Sequence, residues 1–353
     1  MKEKVIIDGL SCPLPITNHD TVQLSHGSGG RMMNDLISKL FLWAFDNPLL
    51  NKKDDQALIE MNGQRLAFST DSFVVDPLFF PGGNIGELAV NGTVNDVSMS
   101  GAKPLFLSTG FIIEEGFSLK ELQKIVEAMR DAAKKAGVLI VTGDTKVVNK
   151  GKGDKVFINT AGIGIIEHDY AIGSSNLKPD DVIILSGTLG DHGMAIMSQR
   201  EGLTFESPIK SDTAALNGLI DTILQAGGKD IHAMRDPTRG GLAATLNEFA
   251  EDSTVSIRIK QDRRPMNDAV AGACEILGLD PLYVANEGKM VVVVARKSAE
   301  KVLAAMKHHP FGESSAIIGD VLQDKPGMVT MQTLIGAWRI VDMLVGEQLP
   351  RIC

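Results

Sequence analysis

Apolar residues change period repeatedly along this chain, and each change predicts an element. Residues 56–60 and 65–69 alternate or cluster apolar side chains like two paired strands, with Asn62-Gly63 as the hairpin turn between them. Residues 84–100 read as a helix and residues 104–113 as a strand. Ser118, with Glu121 three residues on, forms a capping box for a helix that shows Leu122, Ile125, Val126 and Met129 on one face and ends near Gly137. Residues 138–141 predict a short buried strand and residues 156–166 a longer one. After Leu177-Lys178-Pro179-Asp180-Asp181 the alternation repeats. Strands are expected at 182–186, 255–259, 290–295 and 316–321, and helices at 211–225, 240–251 and 298–307.

Hairpins and helices are mixed rather than strictly alternating, so the pattern predicts an α+β fold of two α/β halves, not a doubly wound sheet. Four parts are expected: an N-terminal extension at 1–50, a first domain at 51–169, a second at 175–331 and a tail at 332–353. The extension holds a glycine-rich turn, Ser25-His26-Gly27-Ser28-Gly29-Gly30, followed by apolar residues at helical spacing. The tail carries Trp338 and ends Leu349-Pro350-Arg351-Ile352-Cys353. Pro350 disfavours a regular element at the very end.

Composition narrows the class. The length of 353 residues suits two cores. A net charge of −9 argues against nucleic acid and anionic membrane as partners. No apolar run is long enough to span a bilayer, and Met1–Leu10 does not form a secretory signal. Three cysteines, Cys12, Cys274 and Cys353, give no disulfide framework and predict a reducing cytoplasm.

The candidate chemistry lies in carboxylates placed among apolar residues or in tight turns: Asp54-Asp55, Asp71, Asp96 beside Asn95, Asp144 and Asp236. Singly, each reads as a cap, turn or ion pair. Jointly they suit Mg²⁺, a hard ion that takes oxygen ligands and bridges to phosphates. The turn containing His26, Gly27, Gly29 and Gly30 could offer backbone N–H groups to phosphate, although it matches neither a Walker A nor a dinucleotide fingerprint. Lys146 and Glu287 are the candidate acid–base pair, each on a loop beside a predicted strand. Cys353 is the most unusual residue. Its own α-carboxylate raises the thiol pKa and Arg351 lowers it. A tail from Gln332 spans up to roughly 65 Å extended, against a radius of gyration of roughly 20 Å for a compact chain of this length. Reach is therefore no obstacle to a swinging carrier.

Taken together, Ser-Thr-Asp71-Ser-Phe-Val-Val-Asp-Pro, Gly-Thr-Val-Asn95-Asp96-Val with Gly-Ala-Lys-Pro after it, Thr-Gly-Asp144-Thr-Lys146, Arg-Asp236-Pro-Thr-Arg-Gly-Gly-Leu and the terminal Pro-Arg-Ile-Cys353 resemble the HypE family, carbamoyl dehydratases of [NiFe]-hydrogenase maturation. The interior motifs resemble the wider superfamily of aminoimidazole ribonucleotide synthetase, selenophosphate synthetase and thiamine-monophosphate kinase; the last four residues narrow it. The resemblance implies a two-domain PurM-like fold whose first domain dimerises through its strands, with ATP and Mg²⁺ in the cleft. It implies Asp54 or Asp55, Asp71, Asp96 and Asp236 as metal and phosphate ligands, with Asp144 in a further matching motif, and the loop 25–30 as a mobile phosphate cover. Cys353 would accept a carbamoyl group from the carbamoyltransferase HypF. ATP-dependent dehydration would make it a thiocyanate, with Glu287 as base and Lys146 positioning the group, and cyanide would pass to iron on the HypC–HypD complex. The tail would then alternate between inward and outward states, with Trp338 as reporter. A selenophosphate synthetase-like phosphoryl transferase, which would want a reactive cysteine near the glycines, and a non-catalytic carrier are the alternatives.

Overall fold

The computed structural model describes residues 21–353 apart from 204, 206, 207, 347, 348 and 350. Cys12 and Pro350, discussed above, lie outside the described residues.

The chain begins with the short helices α1 (Arg31–Leu36) and α2 (Leu42–Phe45), joined by a wider π turn at Ile37–Phe41. The strands β1 (Ala57–Met61) and β2 (Gln64–Phe73) form the expected hairpin. A small hairpin of β3 (Phe79–Phe80) and β4 (Gly83–Asn84) leads into α3 (Ile85–Ser98). The Asn84 side chain caps α3 by accepting from the N–H groups of Gly86 and Glu87, at 2.8 and 3.4 Å. Next come β5 (Lys103–Glu114), α4 (Leu119–Ala136), β6 (Leu139–Val148) and β7 (Val156–Ile166). The Ser118 cap and the left-handed Gly137 bound α4 as expected. The sheet order is β1-β2-β7-β5-β6. One face packs on α3 and α4 through Phe73, Val94, Leu107, Ile125, Met129 and Ile158.

The second half holds β8 (Asp181–Leu185), α5 (Asp191–Arg200), α6 (Asn217–Gly227), β9 (Ile231–Arg235), α7 (Gly241–Asp252), β10 (Ser256–Lys260), α8 (Asp268–Leu277), β11 (Val291–Ala295), α9 (Arg296–Lys307), β12 (Ala316–Leu322), β13 (Val329–Gln332) and β14 (Trp338–Ile340). Seven strands form one sheet, β14-β13-β10-β12-β8-β11-β9. Leu242, Leu246 and Phe249 of α7 cover one face. Ile220 and Ile223 of α6, with Val302 and Met306 of α9, cover the other. Among the described residues, no helix is long and apolar enough to cross a membrane.

Four expectations change. The run 138–141 is not a short buried strand. It opens β6, a ten-residue strand at the sheet edge whose first nine residues are exposed. The helix expected at 211–225 starts only at Asn217; residues 211–216 form no regular element, and the Asn95 side-chain oxygen of α3 accepts from Leu216 N–H at 2.8 Å. Three elements rich in polar or small residues, α5, β9 and α8, were not anticipated. Finally, the tail, expected to alternate between inward and outward states, is docked inward here and opens with a strand that was not expected. Residues 338–340 pair antiparallel with β13, and Leu349, Ile352 and Cys353 are buried in the first core. Their apolar side chains reach a pocket that the two halves leave between them, and burial there outweighs the entropy of a free end.

Candidate functional site

The last residues run beside 74–76 like an added strand. Val74 N–H donates to a Cys353 α-carboxylate oxygen at 2.9 Å and Asp76 N–H to the Arg351 carbonyl at 3.3 Å. The Arg351 side chain donates back to the Val74 carbonyl at 3.0 Å and pairs with Asp154. Cys353 is thereby set into a cavity of ≈ 190 Å³ that also exposes Asp55, Asp71, Asp96, Asp236, Arg239 and Glu287.

Each acidic group arrives on a different element. Asp71 lies on β2 and Asp96 on α3, where the Ser69 hydroxyl donates to it at 2.9 Å. Asp236 follows β9, and Asp55 precedes β1. Glu287 sits on a loop locked by backbone contacts. Its N–H donates to Asp212 at 3.2 Å, and its carbonyl accepts from the Asn95 amide at 3.2 Å. Neighbouring Asn286 donates to the Pro237 carbonyl at 2.9 Å. With its backbone held from three sides, Glu287 keeps a buried carboxyl oxygen, Oε1, without a hydrogen-bond partner, as does Asp236 Oδ2. Two orphaned carboxylate oxygens facing one small cavity are costly unless a ligand or a proton satisfies them.

Electrostatics agrees. Burial, reinforced by the neighbouring carboxylates, pushes Asp96, Asp236 and Glu287 well above the usual carboxylate range. Asp55 is pushed up to about 6 by burial, against the pull of Arg235, whose Nε donates to it at 2.7 Å. Burial also raises the Cys353 thiol far above its ordinary value, and only Arg239 opposes this. Arg351, expected to lower that thiol, is instead turned away to Asp154. Arg239 is the cation beside the thiol, and its guanidinium lies 3.8 Å from Asp71.

The glycine-rich turn lies over this cavity. Gly29 has φ +77°, and a Cβ there would meet the Arg239 carbonyl at 2.4 Å; a Cβ on Gly240, itself at φ +76°, would meet the Gly29 oxygen at 2.6 Å. The two backbones approach so closely that only glycine serves. Gly30 approaches the Leu344 carbonyl equally closely, while Gly27 faces open space. His26 is buried and bonded to Gln23 within its own turn.

A second cavity of ≈ 820 Å³ adjoins the first and shares Met33, Asn34, Arg235 and Glu248 with it. Asp54 opens into this larger space and accepts from Ser174 N–H at 2.9 Å. Of the Asp54-Asp55 pair, Asp55 is therefore the one in the thiol's cavity. Among the described residues, no three His, Cys, Asp or Glu side chains are arranged to hold a metal ion by themselves.

The structure does not bring every candidate together. Asn95 is fully buried and occupied with Ala214, Leu216 and Glu287, so it supports the cavity without lining it. Asp144 and Lys146 are exposed on β6 and paired with each other at 2.8 Å, away from Glu287's cavity. Arg235, Arg239, Glu248 and Thr238 line the cavity without having been singled out. Both arginines flank Asp236 in its motif, and that adjacency was the available signal.

Two family models match the chain: AIR synthase related protein, N-terminal domain, over residues 53–166, and its C-terminal domain over residues 178–331. "Carbamoyl dehydratase HypE" of Rhizobium leguminosarum bv. viciae is 55% identical over 332 residues, covering 94% of this chain and 95% of the relative. A chain in a crystal structure of a HypE–HypF complex is 52% identical with TM-score 0.83, covering 88% of this chain and 99% of that one. A crystal structure of hydrogenase maturation protein HypE in complex with ATP is 50% identical with TM-score 0.80, covering 94% and 100%.

Proposed function

The chain belongs to the HypE family of carbamoyl dehydratases, with its two-domain PurM-like fold, and we propose that its own Cys353 is the residue on which the dehydration takes place. The observation that carries this reading is the burial of Cys353 in one small cavity with Arg239, the orphaned Glu287 carboxyl and three aspartates.

The chemistry fits those groups. A thiocarboxamide, Cys–S–C(=O)–NH₂, must lose its oxygen and two N–H protons to become Cys–S–C≡N. Amide oxygen is a poor leaving group, and phosphorylation by ATP lets it depart as phosphate, so that thiocarboxamide and ATP give thiocyanate, ADP and phosphate. Mg²⁺ at Asp55, Asp71, Asp96 and Asp236 would neutralise the transferring charge. Asp55, Asp96 and Asp236 fit such an ion: burial first, and then the neighbouring carboxylates, disfavour their charged forms, which a cation would favour. Glu287, rigid and dry, takes the nitrogen protons. Arg239 holds the sulfur end. The adjoining ≈ 820 Å³ cavity is of the size to receive the nucleoside of ATP, with the turn containing His26, Gly27, Gly29 and Gly30 covering the phosphates.

The finer assignments follow the same reading. The open apolar face of the first sheet supports a homodimer. Asp144 and Lys146 stand on that face, so Lys146 would act at a site completed by the second copy. HypF would load the carbamoyl group, and the HypC–HypD complex would take the cyanide. Both require the tail to leave the cleft and return, in the cytoplasm, where Cys353 stays reduced; Cys274 and Cys353 are both free thiols.

Mass spectrometry of the C-terminal peptide after incubation with HypF, carbamoyl phosphate and Mg-ATP tests the proposal. A carbamoyl adduct that then loses water is expected on Cys353, and none on Cys353→Ala. Glu287→Gln should accumulate the carbamoyl adduct and lose at least about 100-fold in its conversion, the lower end of what a general base contributes. Full conversion by Glu287→Gln would overturn the base assignment, and modification of the Cys353→Ala protein would overturn the carrier.

A further inference from the structure

The groove that receives the tail contains side chains that the dehydration does not use. His192, in the first turn of α5, is fully buried. Its Nε2 lies 2.7 Å from the Ile352 carbonyl oxygen, and its Nδ1 lies 2.8 Å from the Ser211 hydroxyl. A carbonyl only accepts, so Nε2 carries the proton and Nδ1 accepts from Ser211. Phe80 packs edge-on against the ring at 5.5 Å, which fixes its plane. One helix length on, Arg200 donates to the Arg351 carbonyl and, through Nε, to the Asp76 carbonyl. Asp154 takes the Arg351 side chain. The carbonyls of residues 351 and 352 and the α-carboxylate of 353 are thus read in turn by Arg200 and Asp76, by His192, and by Val74. The same helix is tied to the base. Gly190 N–H, two residues before His192, donates to the Asn286 side chain at 2.7 Å, and Asn286 precedes Glu287.

We propose that His192 and Arg200 are positioning residues: they form a main-chain latch that fixes the register of the tail, so that Cys353 enters the cavity opposite Glu287. The proposal rests on the reading of Cys353 as the carrier. It adds a reason why the tail returns to one place. A groove that grips consecutive carbonyls holds the backbone regardless of what is attached to the sulfur, so free, carbamoylated and cyanated tails can all dock in one register. Arg351 adds selectivity through Asp154, and Ile352 through its apolar pocket.

Alkylation of the full-length protein by iodoacetamide, with Cys353 and Cys274 peptides quantified separately, measures the latch without ATP or carbamoyl donor. Failure of the dehydratase reading therefore leaves this test intact. His192→Leu should raise the Cys353 rate about tenfold, the change expected for one buried hydrogen bond, while Cys274 keeps its rate. His192→Gln, which retains an N–H donor, should restore much of the protection. On pre-carbamoylated protein, His192→Leu should slow single-turnover thiocyanate formation without changing the ATP concentration for half-maximal rate. An unchanged Cys353 rate, an equal rise at both cysteines, or full turnover in His192→Leu would overturn the latch. Should His192→Leu fail to fold, Asp154→Asn removes a half-exposed partner of Arg351 and should raise Cys353 alkylation severalfold; no rise there overturns the proposal equally.

Discussion

The two sheets are written in the same alphabet of Val, Ile, Leu and Phe, yet they end in opposite states. In the seven-stranded sheet all five residues of β8 are buried, as are Val291–Val294 of β11, because helices cover both faces. In the five-stranded sheet the described residues cover only one face. On the other, Phe68, Ile163, Phe106 and Leu139 stand in register across β2, β7, β5 and β6. They are 39%, 41%, 42% and 64% exposed. A contiguous apolar row of this kind on an open sheet marks an interaction surface rather than scattered exposure. The lesson is that the second half closes its sheet with its own helices, whereas the first leaves an apolar face that its own described residues do not cover.

A matched pair of substitutions gives the largest expected effect. Val292→Glu puts a charge into the fully buried β11 and should prevent folding, since an unpaired buried charge costs several kcal/mol, on the order of a domain's whole stability. Ile163→Glu puts the same charge on the open face. It should fold, sediment as a monomer and lose thiocyanate formation together with the dimer. A fully active Ile163→Glu monomer would mean that one protomer holds the complete site and that Lys146 plays no part in it.

That contrast also explains what was legible in the sequence. Periodicity located the β1–β2 hairpin, α3, α4, β7 and the central strands of the second half, because alternation and caps are local signals. It misread β6. The apolar run Val138–Val141 looks the same whether a strand is buried by its own chain or left open for another, and only the number of covering helices decides. Glu287, Asp71, Asp96 and Asp236 were legible because carboxylates are rare in such apolar or turn settings. Arg239 was passed over because an arginine is ordinary on any surface, and what makes it special is the thiol brought to it from more than a hundred residues away. The inward state of the tail was implied by the terminal Pro-Arg-Ile-Cys353 and not by any local pattern. Its groove is assembled from residues 74–76, α5 and Ser211, which no local pattern links.

The second contrast is electrostatic and predicts a smaller effect. In the sealed half, buried Asp181 is satisfied by His232 at 2.7 Å. The cavity carboxyls between the halves are crowded together, and burial raises Asp55 from 3.8 to about 6 although Arg235 Nε donates to it at 2.7 Å. A carboxyl with a raised folded pKa binds more protons in the folded than in the unfolded state between the two values. Its contribution is therefore most favourable below the unfolded pKa and is lost as pH rises through the folded one. For Asp55 that window runs from about 4 to 6, and the loss reaches up to ~3 kcal/mol at about 1.36 kcal/mol per unit. Asp96 and Asp236, also raised by burial, contribute with the same sign. Without Mg²⁺, Asp236→Asn should match the wild type in melting temperature near pH 4 and exceed it by several degrees at pH 8. Mg-ATP should reverse that order at pH 8. An Asp236→Asn protein less stable than wild type at pH 8 without Mg²⁺ would show that the cavity carboxylates do not repel one another.

The smallest effect concerns the border between the sealed sheet and the tail. Trp338, expected as a reporter of tail movement, stands on β14 opposite Gln332, with the Arg258 guanidinium 5.5 Å from its ring. The tail proper departs after it: residues 342–346 cross the glycine-rich turn, where Arg31 N–H donates to the Leu344 carbonyl at 2.9 Å and Ser28 to the Gly346 carbonyl at 3.2 Å. Releasing residues 349–353 breaks none of the contacts that set Trp338's surroundings. In a Trp43→Phe protein, whose only tryptophan is Trp338, emission should therefore stay unchanged when His192→Leu or Asp154→Asn frees the tail, even as Cys353 becomes reactive. A clear shift in that emission would mean that β14 unzips from β13 with the tail, and that the seven-stranded sheet is less closed at this edge than its buried centre implies.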